Sequence, residues 1–140
     1  MITLGIETSC DDTSICILES NEKSLPKILS HNSFSSEKIL QKWGGVVPEV
    51  AARNHLDKIT PLLSLCLEEA SLSMESIDLI GVTTNPGLLG PLLTGLNAAK
   101  TISLMKKKPI VPVNHLFAHL EAIHLTKDIT YPYLGLLFSG

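Results

Sequence analysis

The stretch ITLGIETSCDDTSICILE, residues 2–19, decides the fold class of this chain. Its first part, residues 2–8, is apolar and β-branched, which is typical of a buried strand. Residues 9–13 then predict a tight polar turn, and residues 14–19 predict a second strand. Because residues 27–34 predict a third strand, the chain is expected to begin as an antiparallel meander.

Helices and strands are predicted to alternate along the remainder of the chain. Apolar residues three and four positions apart follow Pro48, which stands where the first residue of a helix is expected. Pro61 lies inside this pattern and predicts a kink or a break. The later predicted elements are a strand at 77–83, a helix at 92–105, a strand at 110–113, a helix from 115 to about 125 and a strand at 133–138.

A meander followed by this alternation predicts an α/β fold, with a mixed sheet and helices packed on its faces. The order of elements matches one lobe of an actin-like, ribonuclease H-like ATPase fold. Residues 1–130 would form this lobe, and residues 131–140 would begin a second lobe with the strand at 133–138. That strand would lack its continuation, so we expect exposed apolar surface and self-association of the chain.

The composition excludes several classes of protein. With 44% hydrophobic and 18% charged residues, the 140-residue chain is globular and long enough for one domain. A net charge of −3 argues against a stand-alone nucleic-acid-binding domain. Three cysteines without a Cys-x-x-Cys spacing argue against a disulfide framework and favour the reducing cytoplasm. We see no membrane span and no signal peptide.

Two histidines are the strongest candidate site residues. His115 and His119 follow an apolar strand pattern, and Asn114 is placed to cap a helix that begins at His115. Four residues are about one helical turn, so both imidazoles can bind one metal ion. Such pairs also arise by chance on helix surfaces. A metal site would need at least one further ligand, and this helix face offers none.

The first turn of the chain is the second candidate site. It combines hydroxyl groups with the carboxylates of Asp11 and Asp12, a mixture that suits phosphates with a divalent cation. The alternative is that Asp, Ser and Thr are simply the residues that turns prefer. Glu7 favours a functional interpretation, because a charged residue inside an apolar strand usually has a specific partner.

Two weaker motifs leave both interpretations open. The Gly- and Pro-rich residues 85–95 enter a helix whose N-terminus can bind an anion, or they form only a tight turn between strand and helix. Glu49, Arg53 and His55 follow the Gly44-Gly45 loop on the first turns of a helix. They form either a polar network near a ligand or an ordinary solvated helix face.

Five motifs together resemble the TsaD family, the tRNA N6-adenosine threonylcarbamoyltransferases. They stand in the family's order and cover essentially the whole chain, which makes the resemblance specific. The family has an actin-like ATPase fold, in agreement with the lobe predicted above. The motifs are GIETSCDDTS at 5–14, GGVVPE at 44–49, PGLLG at 86–90, Asn114-His115-x-x-x-His119 and LFSG at 137–140.

The resemblance implies transfer of a threonylcarbamoyl group from threonylcarbamoyl-AMP to N6 of the adenosine next to the anticodon, in tRNAs that read ANN codons. It implies an iron or zinc ion that is also bound by an aspartate from a C-terminal lobe. It further implies a complex with TsaB-like and TsaE-like proteins, in which Mg²⁺ and ATP can take part and which binds the tRNA. The implied site residues are His115 and His119 for the metal, Asp11 for catalysis, Leu137, Phe138, Ser139 and Gly140 for the substrate, and Ser9 and Asp12 as further contacts of the first loop.

The chain also departs from the family. Members are more than twice as long, so we expect this chain to be an N-terminal lobe that is inactive alone, as a fragment or as half of a split protein. Asn85 and Pro91 replace a glycine and a small polar residue of the family pattern. The alternative is a non-catalytic interaction module like the TsaB paralogue, which lacks the histidine pair. A zinc peptidase is disfavoured, because Leu116 stands where its general base would be.

Overall fold

The computed structural model of the chain describes residues 1–138. Within these residues, five strands form one mixed sheet in the order β3-β2-β1-β4-β5. β1, β2 and β3 pair antiparallel, whereas β4 is parallel to β1 and β5 is parallel to β4. The strands are β1 (Ile2–Glu7), β2 (Asp12–Asn21), β3 (Ser24–Ser35), β4 (Leu79–Asn85) and β5 (Ile110–Asn114).

Two long helices and one short one connect the strands, and a second short helix follows β5. The α-helices are α1 (Glu37–Leu40), α2 (Pro48–Glu69), α3 (Leu89–Lys106) and α4 (His115–Glu121). Single 3-10 turns cover Gln41–Trp43, Met74–Ser76 and Ala122–Leu125. Within residues 1–138, none of the helices is long and apolar enough to cross a membrane.

The core lies between α2, α3 and one face of the sheet. Side chains of a strand alternate between its faces, and the apolar ones of the three central strands point to this side. Cys66 of α2 and Ala99 of α3 are also fully buried here. The buried apolar residues of these strands are Leu4, Ile6, Ile15, Ile17, Ile80 and Val82.

The opposite face of the sheet carries small and polar residues and is only partly covered. It forms one side of an open cavity of about 580 Å³, which α4 borders. Strand residues that line this cavity are Thr3, Gly5, Ile6, Glu7, Ser14, Cys16, Leu18, His31, Gly81, Thr83 and Val113. Alternate residues of the same strands therefore build a dry core on one side and an accessible surface on the other.

The predicted meander and the alternation that follows it are confirmed, with strand limits that differ by a few residues. Of the kink or break predicted at Pro61, the break is wrong, because α2 continues without interruption from Pro48 to Glu69, and the kink stays a prediction. A proline inside a helix removes one backbone hydrogen bond. Ile59 and Cys66, on either side of Pro61, are both buried, and this packing keeps the helix intact.

The predicted strand at 133–138 is also wrong, since these residues pair with no strand. The segment instead lies against α4: Tyr133 donates a hydrogen bond to Glu121, and Gly135 packs against Leu120. The predicted helix from 115 to about 125 ends earlier, at Glu121, and continues as a 3-10 turn. The division into residues 1–130 and 131–140 stays a prediction.

Candidate functional site

The histidine helix begins where β5 ends. The side chain of Asn114 accepts a hydrogen bond from the backbone N–H of Phe117 at 3.0 Å, so the predicted cap is confirmed. The cap places His115 at the first position of α4, and His119 follows one turn later on the cavity side. The sheet edge thus determines where both imidazoles point.

The two imidazoles converge. The Nε2 atoms of His115 and His119 lie 3.2 Å apart, and the ring planes are inclined by 87°. Two nitrogen ligands of a tetrahedral zinc ion, each about 2.0–2.1 Å from the metal, are separated by roughly 3.3–3.4 Å. The pair therefore presents two donors at a spacing that fits one ion. Among residues 1–138, no group of three or more His, Cys, Asp or Glu side chains could hold a metal.

Glu7 connects the end of β1 to this pair. Its Oε2 atom lies 3.3 Å from Nδ1 of His115 and accepts a hydrogen bond from Thr83, while Oε1 accepts one from the backbone N–H of Ser9. Burial acts to raise the pKa of Glu7, but the hydrogen bonds from Ser9 and Thr83 and the nearby His115 outweigh it and lower the pKa. Glu7 is thus held as a carboxylate.

His55 anchors the loop between β1 and β2 from the other side. It is fully buried, and its Nε2 atom donates to the carbonyl of Cys10 at 3.0 Å. Its Nδ1 atom accepts from the hydroxyl of Thr13 at 2.8 Å. Burial lowers the pKa of His55, although nearby carboxylates oppose this. Of the polar cluster on α2, His55 is therefore an internal support, whereas Glu49 and Arg53 form an exposed ion pair.

Close backbone approaches fix the same loop against α3. A Cβ on Gly87 would lie 2.6 Å from the carbonyl oxygen of Ser9, so only glycine fits there without a shift. The next residue, Leu88, donates its N–H to that carbonyl at 2.8 Å. Gly95 packs in the same way against Thr8, whose hydroxyl donates to the carbonyl of Pro91. The Gly- and Pro-rich motif thus has a packing role.

The remaining predicted contact residues of the first loop lie around its rim. The carbonyl of Asp11 accepts from the N–H of Ser36, and its carboxylate lies beside the Cys10 thiol. Burial, then the charge of Asp11, raises the pKa of Cys10. Asp12 is exposed, whereas Ser9 is only 2% exposed and its hydroxyl lies 3.2 Å from Nδ1 of His115. The catalytic and ligand-binding roles of these residues stay predictions.

At the other end of the chain, Phe138 is 90% exposed and Leu137 is 39% exposed. No described contact joins either of them to the histidine pair. The predicted substrate contacts Ser139 and Gly140 lie outside the described residues.

The sequence model of the TsaD family, described as tRNA N6-adenosine threonylcarbamoyltransferase, matches residues 27–140. The chain belongs to this family. A relative of the same description from Sulfurihydrogenibium sp. (strain YO3AOP1) is 46% identical over 140 residues, and one from Dictyoglomus turgidum is 48% identical over 141 residues. Both matches cover 100% of this chain but only 40% and 41% of the relatives, so the chain spans about two fifths of their length.

A solved structure agrees with the fold of this threonylcarbamoyltransferase family member. YeaZ from Pseudomonas aeruginosa superposes with a TM-score of 0.59, over 82% of this chain and 43% of that one. At 16% sequence identity, this likeness concerns the fold alone. The predicted fold class, an actin-like α/β lobe with a mixed sheet, is confirmed.

Two residues of the site were not found from the sequence of this family member. Thr83 follows the apolar part of β4 and was predicted as an ordinary strand residue, whereas Thr13 was predicted only as the last residue of the first turn. A signal existed for Thr83: neighbouring parallel strands end at the same edge of a sheet, which places it beside Glu7. No local signal marks Thr13, because its partner His55 lies 42 residues away.

Proposed function

We propose that this chain is the N-terminal part of an enzyme that transfers threonylcarbamoyl from threonylcarbamoyl-AMP to N6 of the adenosine next to the anticodon, in tRNAs that read ANN codons. Membership of the family and the descriptions of the relatives support this activity. The chain spans 40% of such a relative, which supports a function shared with residues that this chain does not contain.

The observation that carries the proposal is the 3.2 Å separation of the Nε2 atoms of His115 and His119. Imidazole nitrogens suit both iron and zinc, and the pair would supply two ligands of such an ion. An aspartate from the remainder of the enzyme would complete the site. The bound ion would act as a Lewis acid and would orient the substrate.

The other residues would act on the substrate side of the same edge. Asp11 would contribute a catalytic carboxylate, with Asp12 and Ser9 as further contacts of the first loop. Leu137 and Phe138, together with Ser139 and Gly140, would begin the segment that binds the adenylate. The accessibility of Asp12, Leu137 and Phe138 supports contact with a ligand.

The partners follow from the same proposal. The enzyme would act in the cytoplasm within a complex of TsaB-like and TsaE-like proteins, in which Mg²⁺ and ATP can take part. That complex would supply the surface for tRNA, because the net charge of −3 makes this chain a poor binder of nucleic acid by itself.

Calorimetric titration of Zn²⁺ and Fe²⁺ tests the metal site. We expect weak binding by the 140-residue chain, because it offers only two donors, and loss of that binding in His119→Ala. His124→Ala is the control, since it removes an imidazole that is not among the residues lining the cavity. Equal binding by the wild type and His119→Ala would remove His119 from the proposed site.

A transfer assay with tRNA and threonylcarbamoyl-AMP tests the activity. We expect no turnover with this chain as the sole transferase, and turnover once the missing lobe and the partner proteins are supplied. Turnover by the isolated chain would contradict the proposal that the catalytic site includes residues outside this chain. A complete assembly that binds metal but transfers nothing would favour the non-catalytic interaction module.

A further inference from the structure

The carboxylate of Glu7 faces the ring nitrogen of His115 that points away from His119. Oε2 of Glu7 lies 3.3 Å from Nδ1 of His115, whereas Nε2 of His115 faces His119. An ionised carboxylate accepts hydrogen bonds and donates none. Glu7 cannot turn away, because Ser9 and Thr83 donate to its two oxygens.

This contact selects one tautomer of the neutral His115 ring. A proton on Nδ1 is donated to Glu7, whereas a bare Nδ1 would set its lone pair against the carboxylate. The hydroxyl of Ser9, 3.2 Å from the same nitrogen, accepts or donates and so imposes no preference. Nδ1 therefore carries the proton, and the lone pair of Nε2 is free to bind a metal.

His119 is in the opposite state. Its Nε2 atom lies 3.2 Å from Nε2 of His115, and two bare nitrogens at that distance would repel each other. Because Nε2 of His115 carries no proton, Nε2 of His119 must donate one. When no metal is bound, the ligand atom of His119 is therefore blocked by its own proton.

We propose that Glu7 is a positioning residue that fixes His115 as the Nδ1–H tautomer, so that His115 is prepared for a metal while His119 must change tautomer to bind one. This inference rests on the proposed metal site. On binding, the proton of the exposed His119 ring leaves Nε2 for solvent and another enters at Nδ1. The net proton count is unchanged, and the histidine pair is divided into a fixed ligand and an adjusting one.

Nitrogen-15 NMR of the metal-free 140-residue chain tests the assignment directly. The shifts of the ring nitrogens distinguish the charged ring from each neutral tautomer, so the spectrum is recorded at a pH at which it shows both rings to be neutral. We expect Nδ1–H at His115 and Nε2–H at His119. Nε2–H at His115 in the wild type would overturn the proposal, and this result requires no variant.

Glu7→Gln tests whether the carboxylate of Glu7 determines the tautomer of His115. The side-chain oxygen of the glutamine must stay at the Oε1 position to accept from the N–H of Ser9, so its NH₂ group faces Nδ1 of His115. We expect the His115 tautomer to invert to Nε2–H, and affinity for Zn²⁺ or Co²⁺ to fall by roughly 10- to 100-fold. Glu49→Gln, which makes the same change on an exposed helix face, should alter neither measurement.

Ser9→Ala separates the two groups that contact Nδ1. It removes the hydroxyl and leaves the backbone N–H that holds Glu7, so we expect the His115 tautomer to stay Nδ1–H. Inversion in Ser9→Ala but not in Glu7→Gln would assign the role to Ser9 and overturn the proposal.

Failure of this inference and failure of the metal site give different results. If His119→Ala binds Zn²⁺ as the wild type does, the metal site is wrong, whatever the NMR tautomers are. If His119→Ala abolishes binding while Glu7→Gln changes neither the tautomer nor the affinity, the metal site stands and the role of Glu7 is wrong.

Discussion

The two faces of the sheet are built from alternate residues of the same strands, yet they are covered in opposite ways. On one face, Leu4 and its neighbours are fully enclosed by α2 and α3. On the other, Glu7 and Thr83 border an open cavity beside α4, and the following segment exposes Leu136 to 71%. The difference separates two arrangements: the enclosed face stabilises the fold, and the open face contributes polar side chains to the lining of a cavity.

The largest expected difference between the faces is in core packing. We expect Leu4→Ala to lower the free energy of unfolding by about 2–5 kcal/mol, because it leaves a cavity in an enclosed core. Leu136→Ala deletes the same atoms from an exposed position and should change it by less than about 0.5 kcal/mol. Urea denaturation measures both values. Equal losses would show that the open side is packed as tightly as the core.

Substitution of two glycines gives the next largest expected difference in stability. Gly87→Ala would drive a Cβ to 2.6 Å from the backbone of Ser9, so we expect a loss of about 1–3 kcal/mol in the free energy of unfolding. Gly5 lies on the open face, where the nearest atom to an added Cβ is 3.8 Å away. Gly5→Ala should therefore change stability by less than about 1 kcal/mol. A loss in Gly5→Ala as large as that in Gly87→Ala would contradict this account.

The sequence predicted the enclosed face well, because local patterns encode it. Alternation in β1 and β2, the helical spacing after Pro48 and the cap at Asn114 depend on neighbours within a few positions. These patterns led to the strands, the helices and the direction of the histidine pair. Pro61 does not break α2, because the burial of this helix, a tertiary effect, outweighs one lost hydrogen bond.

The open face was predicted less well, since its contacts join distant parts of the chain. Nδ1 of His115 meets a carboxylate 108 residues earlier in the sequence, and the loop support from His55 crosses 42 residues. The segment at 133–138 has the apolar composition of a strand but no strand edge beside it, so its pattern predicted the wrong structure. The convergence of the His115 and His119 imidazoles could be predicted from their spacing in the sequence. The contact of Glu7 with His115 could not.

A smaller effect concerns pH. Burial holds the pKa of His55 below its ordinary value of about 6.5, against the opposing charges of Glu7, Asp11 and Asp12. Below pH 6.5 the unfolded chain binds a proton that the folded chain resists, so stability is greatest above this pH and falls as the pH decreases towards the folded-state pKa. The slope contributed by this group is at most about 1.4 kcal/mol per pH unit.

Urea denaturation between about pH 8 and pH 5 measures this slope. In His55→Gln the amide can still donate to the carbonyl of Cys10, and we expect a shallower decrease than in the wild type. NMR titration of His55 in the wild type checks the cause independently of whether that variant folds. A pKa at or above 6.5 would show that the hydrogen bond to Cys10 and the nearby carboxylates outweigh burial at this loop.

The smallest expected effect is weak self-association through the exposed apolar residues of the open side. Leu134, Leu136 and Phe138 are 87%, 71% and 90% exposed, and we expect them to cause weak self-association visible by light scattering at high concentration. Changing all three to Ser should remove the association without lowering the stability of the monomer. Leu104→Ser with Met105→Ser, at equally exposed positions on α3, should not. If instead only the α3 variant is monomeric, the chain self-associates through α3. The two faces would then differ in packing and not in association.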